Sequence, residues 1–298
     1  MSHVRHAAIS LGKGFLAGLI WQVGLIVGAL VAPLLGFEAP TTPPGVDPSL
    51  VLPVGVLVGI PVAITLGELS KRLQLPFPQQ VLTLFVFNYL VYGLGQVLEQ
   101  ILFTTTTSLG YGSVSQFFQA ASLALAVGAL WRPQGAERSL GKALAFFKTR
   151  QPGDWAWQLI VAWLIYLPIY WGMGRLISPL VAPLYEAQAF GLVLPDTGAM
   201  IDMQYLRGAL YLLAALPILV LWRGSQRGLW MWLGLAIFVQ IAATPLLLAY
   251  WLPLTFRLAH GLELAVDAFV QAYLYTQLLT VSIGTEAAWP GETPVLCA

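Results

Sequence analysis

The stretch from Phe15 to Phe37, FLAGLIWQVGLIVGALVAPLLGF, runs without one charged side chain. A helix needs roughly 20 such residues to cross the hydrocarbon of a bilayer. Comparable runs recur to the far end of the chain, with short polar connections between them. Only 9% of the residues are charged, and the mean hydropathy is +0.78. Soluble domains usually carry about a quarter charged residues, so a water-soluble fold of 298 residues would leave too much apolar surface in water. The expected fold is all-α. It is a single polytopic helical membrane domain over 1–298, with about eight transmembrane helices, in a cell's inner or plasma membrane.

The spans read as about 15–37, 51–69, 80–103, 114–131, 155–179, 206–222, 229–250 and 254–280. The N-terminal MSHVRHAAISLGKGF puts positive charge ahead of an apolar run, as a secretory signal does. That run outlasts the roughly 7–15 residues of a signal core, so it reads as a retained first helix. Pro168 falls inside the fifth span and predicts a kink there. The lone cysteine, Cys297, supports neither an internal disulfide framework nor a cysteine-based metal site. With a net charge of +1, no basic field points to nucleic acid.

Lysine and arginine placement sets orientation, because positive residues favour the cytoplasmic side. With the N-terminus inside, the inner segments hold Arg5, Lys13, Lys71, Arg72, Arg132, Arg138, Lys142, Lys148, Arg150, Arg223 and Arg227. Arg175, Arg207 and Arg257 fall near outer helix ends. Both termini are therefore expected in the cytoplasm. The stretch at about 139–150, SLGKALAFFKTR, interleaves cations with Leu144, Phe146 and Phe147, which suits either an amphipathic helix on the inner interface or a solvated loop that follows the positive-inside pattern. An outer loop at about 183–205 has an apolar centre suited to capping a cavity or dipping back into it, and about 283–298 reads as a flexible tail. Gly14-x-x-x-Gly18, Gly24-x-x-x-Gly28 and Gly55-x-x-x-Gly59 predict close packing of the first two helices.

One segment breaks the apolar rule. RLAHGLELAVDAFVQ, residues 257–271, carries four ionisable side chains in eleven positions. At roughly 100° per residue, Arg257, His260, Glu263, Asp267 and Gln271 share about a third of a helix circumference. An ionised carboxylate deep in a bilayer costs several kcal/mol unless it is paired, protonated or wetted. The stripe should face the bundle interior or a water-filled cavity. The third span offers a second polar line, Asn88, Tyr92, Gln96 and Glu99. Antiparallel running brings Glu99 to the depth of Arg257, His260 and Glu263, in the outer half of the membrane.

Three readings follow from this site. In the first, Glu99, Arg257, His260, Glu263 and Asp267 bind a solute or a proton, supported by Asn88, Tyr92, Gln96, Gln271 and an anion-attracting Arg175. In the second, His260, Glu263 and Glu99 hold a metal for an intramembrane enzyme. Only His3 and His6 accompany His260, in the N-terminal segment, so neither a di-iron nor a bis-histidine haem site fits, and no metal or cofactor is expected. In the third, Arg257–Glu99 and His260–Glu263 pair to fix helix register in a subunit of a membrane complex. Such pairs contribute only about 0.6 kcal/mol each, a weak reason to keep so many, and transport or proton handling is the favoured expectation. The expected partners are the bilayer, a small solute or proton, and partner subunits or a second copy.

Overall fold

The structure, a computed structural model, describes residues 2–43, 45–104, 108–132, 139–222 and 224–280. Its long helices are α1 (Ser2–Leu34), α2 (Pro48–Lys71), α3 (Phe77–Phe103), α4 (Leu109–Leu130), α5 (Pro152–Leu164), α6 (Tyr166–Glu186), α7 (Thr197–Leu221), α8 (Gln226–Leu248) and α9 (Leu254–Leu279). Seven helical stretches among the described residues have the length and apolarity to cross a membrane, with α5 and α6 forming one of 35 residues. The eighth, α9, has 26 residues and the reach to span, but Arg257, Glu263 and Asp267 make it less apolar. The chain thus adopts the expected all-α polytopic architecture.

Helix ends follow the local chemistry. Asp47, Ser108, Asp196 and Ser225 each accept a backbone N–H from the first turn of α2, α4, α7 and α8, respectively. Asp47 also accepts the Ser49 hydroxyl, and both bonds hold its carboxyl below the usual range. The Tyr250 hydroxyl donates to the Asp47 carbonyl at 2.7 Å, joining the α1–α2 and α8–α9 connections. Pro168 cannot supply the N–H that the Leu164 carbonyl needs, so α5 gives way to α6 at Ile165. That is the kink the sequence predicts. Pro245 poses the same problem in α8, and the π turn Val239–Ala243 just before it takes up the mismatch. A second π turn, Tyr89–Leu94, interrupts α3. The two turns lie against each other, and Asn88 Nδ2 donates to Gln240 Oε1 at 2.8 Å.

Glycines bring the first helices together. A Cβ on Gly18 would sit 2.7 Å from the Val56 carbonyl oxygen of α2, and one on Gly59 would sit 2.8 Å from Gly18 Cα. Gly14, Gly18 and Gly59 therefore seat α1 on α2, while Gly55 makes room for the Gln22 side chain. Gly28 serves a different neighbour: its Cβ would fall 2.5 Å from Ser115 Cα of α4. The Gly24/Gly28 pair packs α1 on α4 instead of α2, because at roughly 100° per residue it sits about 80° around α1 from Gly14 and Gly18.

Cations gather at one end of the bundle and finish its helices. Lys13 Nζ donates to the Leu130 carbonyl that ends α4, at 2.6 Å. Arg150 donates to the Leu278 and Thr280 carbonyls at the end of α9. Arg72 lies over the rings of Trp222 and Trp232, and Arg132 over Phe77. The 139–150 stretch folds as a helix over Leu140–Ala143 and a 3₁₀ turn over Leu144–Lys148, with Phe146 buried against Trp155. Arg138, Arg223, Cys297 and the tail at 283–298 lie outside the described residues.

At the opposite end, α6 runs on to Glu186 and α7 starts at Thr197, so the part of the 183–205 segment outside the long helices is only 187–196, with a 3₁₀ turn at Ala189–Gly191. Gln188, Phe190 and Gly191 all adopt positive φ, a tight reversal that turns the strand-like residues after it across the bundle. There Val193 N–H donates to the Phe103 carbonyl at 2.9 Å, and Leu192 pairs with Thr104.

Candidate functional site

The polar stripe of α9 faces inward. Leu258 and Leu262 are each 63% exposed, whereas Glu263 is 3% exposed and Asp267 and Gln271 not at all. Exposed leucines on one face and buried carboxylates on the other give α9 a lipid side and an interior side.

Two adjoining cavities meet that interior side. One, of about 210 Å³, is lined by Tyr92, Gln96 and Glu99 of α3, Arg207 of α7 and His260 of α9, with Phe190 and Leu192 of the 187–196 connection above it. The other, of about 230 Å³, lies between α6 and α9 and is lined by Glu99, Tyr170, Trp171, Arg175, Tyr185, His260 and Glu263 among others. Leu194 of the same connection closes part of it. Glu99, Phe103, Tyr185, His260 and Leu264 border both cavities, so a single layer of side chains divides them. The 187–196 segment thus contributes Phe190 and Leu192 to the lining of one cavity and Leu194 to that of the other.

His260 sits in a short relay. Its Nδ1 lies 2.8 Å from Glu263 Oε2, and the Tyr185 hydroxyl is 3.5 Å from Nε2. With the proton on Nδ1, the ring donates to the carboxylate and accepts from the tyrosine. The His260–Glu263 pairing read from the sequence is therefore formed.

The pairing of Arg257 with Glu99 is not. Arg257 lines neither cavity, and no ion pair joins it to Glu99 among the described residues. The cation at Glu99 is Arg207 of α7, fully buried, in an ion pair that lacks the alignment of a hydrogen bond. Its guanidinium donates to the Tyr211 hydroxyl through Nε and Nη2, at 3.2 and 2.9 Å, and to Gln204 Oε1 at 3.2 Å. It also faces the rings of Tyr166 and Tyr211, each 5.6 Å away. A span starting at 206 places Arg207 in its first turn, near solvent. The helix begins nine residues earlier behind the Asp196 cap, which carries Arg207 into the interior. That cap, together with Gln204, Arg207 and Tyr211 at helical spacing, is the signal that would have found it.

Two other expected members stand apart. Asn88 is bound to Gln240, because the π turn after it rotates the α3 polar line and leaves only Tyr92, Gln96 and Glu99 on the cavity. Gln271 donates to the Tyr275 hydroxyl at 2.7 Å, deeper in the bundle and away from both cavities. Arg175 does reach the second cavity, at its exposed rim, with its guanidinium 5.9 Å from the Trp171 ring. Glu99, His260 and Glu263 share a cavity, but no three metal-ligating side chains converge among the described residues.

Asp267 is the most unusual group. It is fully buried, and no hydrogen bond reaches either carboxylate oxygen among the described residues. Its charged neighbours are Glu263, Arg207 and Glu99, two carboxylates and one cation already paired. An unpartnered buried polar group costs roughly 1–3 kcal/mol, more when charged. Such a group persists against stability when something else requires it.

Comparison with known proteins supplies no relative: no family model matches the chain, nor does any curated protein or solved structure. The functional reading therefore stands on the site itself.

Proposed function

We propose that this membrane protein binds a small solute in the capped cavities between α3, α6, α7 and α9 and moves it across the bilayer with the help of a proton held on α9. The observation that carries this reading is Asp267, a buried carboxylate without a partner, one helical turn beyond a Tyr185–His260–Glu263 relay that opens on both cavities. A structural pair would be satisfied within the protein, as Arg207 is. The α9 stripe is left incomplete in the manner of a group that gains and loses a ligand. Positive-inside placement puts the cation-rich end in the cytoplasm, so the capped cavities open outward and both termini lie inside.

The test is flux. Purified protein is placed in vesicles containing a pH-reporting dye and a mixed pool of small amines, amino acids and carboxylates, and the external pool is then diluted. Vesicles with the protein change internal pH faster than empty ones, and Glu263→Gln loses most of the difference. Identical traces from protein-containing and empty vesicles would refute the transport reading.

A further inference from the structure

The charge balance and walls of the second cavity carry one step more. Its carboxylates are Glu99 from α3 and Glu263 from α9, and Asp267 lies deeper on the same helix face. Arg207 from α7 answers Glu99. His260 answers Glu263 as a hydrogen-bond donor, which its neutral tautomer does while accepting from Tyr185. Arg175 from α6 is exposed at the rim, against Trp171, and no ion pair joins it to either glutamate among the described residues. Arg257 lines neither cavity. Glu263 thus has an imidazole and no lysine or arginine paired with it among the described residues, and Asp267 has only Arg207, which it shares with Glu99.

The rest of the wall is apolar, partly aromatic and partly aliphatic, with Ile177, Val181, Leu194 and Leu264 among its members. Tyr170, Trp171, Tyr185 and Phe103 border the same space, and the buried Trp171 Nε1 has no hydrogen-bond partner. Aromatic faces around a site short of positive charge suit a cation whose charge is spread over carbon-bound nitrogen, because ring quadrupoles attract it without demanding hydrogen bonds. An inorganic ion is less well served, since no set of three ligating side chains is present among the described residues. The volume of about 230 Å³ admits a group the size of several waters, at roughly 30 Å³ each.

We infer that the cavity between α6 and α9 takes a small organic cation, a protonated or quaternary amine, with its charge against Glu263 and its alkyl groups against Tyr170, Trp171 and Tyr185. This rests on the solute-binding reading above and names the class of solute. Gly174 allows the approach: it lines the cavity, and a Cβ there would lie 3.4 Å from Glu263 Oε1, in the space between rim and carboxylate.

The probe is choline, compared with a neutral and an anionic analogue. One is its neutral isostere, with a tert-butyl group in place of trimethylammonium, and the other is the corresponding carboxylate. Titration calorimetry of the detergent-purified full chain measures equilibrium binding without requiring transport. The expected result is that choline binds at least about tenfold more tightly than the neutral isostere, the effect of one desolvated cation–π contact with a carboxylate behind it. Trp171→Leu weakens choline more than the neutral isostere and so removes much of that preference; Glu263→Gln narrows it further by removing the charge. Equal binding of cation and isostere, stronger binding of the carboxylate, or no binding of any of the three up to about 10 mM overturns the assignment. Choline binding without flux would reject transport and keep the site. Flux of other solutes without choline binding would do the reverse.

Discussion

Replacing Arg207 with methionine costs the fold about 3 kcal/mol, the low end for breaking a buried ion pair. The low end applies because Glu99 keeps 31% of its side chain exposed to the cavity, so water recovers part of its lost partner. The remaining cost falls on neighbours. Tyr211 and Gln204 each lose a buried donor, and the Tyr166 and Tyr211 rings lose the cation they face. Methionine fills most of the volume but supplies none of these contacts. Adding Glu99→Gln to the variant restores roughly 1 kcal/mol, because the amide does not need the cation. Denaturant unfolding of the purified protein measures both. An unchanged single variant, or a double variant that simply sums two losses, would show that the pair does not hold α3 to α7.

Asp267→Asn moves two quantities in opposite directions. Above the pH at which the aspartate loses its proton, stability rises by about 1 kcal/mol, since the amide keeps the shape and carries no charge where neither oxygen has a donor. Flux in the vesicle assay falls to background, since an amide cannot carry the proton. A merely structural aspartate gives the other pattern: its removal weakens the fold and leaves flux in proportion to the amount of folded protein. The opposition follows from the general trade between stability and activity at strained sites.

What the sequence discloses and conceals divides along physical lines. The apolar runs have to become spans, since only hydrogen-bonded helices or closed barrels satisfy the backbone in lipid. The stripe from His260 to Asp267 is equally legible, because helical periodicity places its members on one face whatever packs against them. Choosing a partner across a gap is different. Arg175, Arg207 and Arg257 all lie near the same end, and a helical wheel of α9 favours Arg257, its own member. Only the assembled bundle shows that α7 presents Arg207 to Glu99. The rotation of Asn88 away from Tyr92 has a similar origin, because nothing in the α3 sequence forces the π turn at Tyr89–Leu94 that meets its counterpart in α8. The reversal at 187–196 depends on positive φ at Gln188 and Phe190, which composition does not foretell.

A thiol placed beside Glu263 tests most directly whether the α9 stripe lines a water-filled space inside the membrane domain. Cys297→Ala removes the native thiol, Gly174→Cys introduces one where a Cβ lies 3.4 Å from Glu263 Oε1, and Lys71→Cys marks the cation-rich end. Intact vesicles are exposed to a membrane-impermeant maleimide from each side in turn. Position 174 is expected to label from the face opposite to the one that labels position 71. A thiol at 174 that stays unreactive until detergent dissolves the membrane, or that labels from the same face as position 71, would contradict an outward-opening, water-filled site.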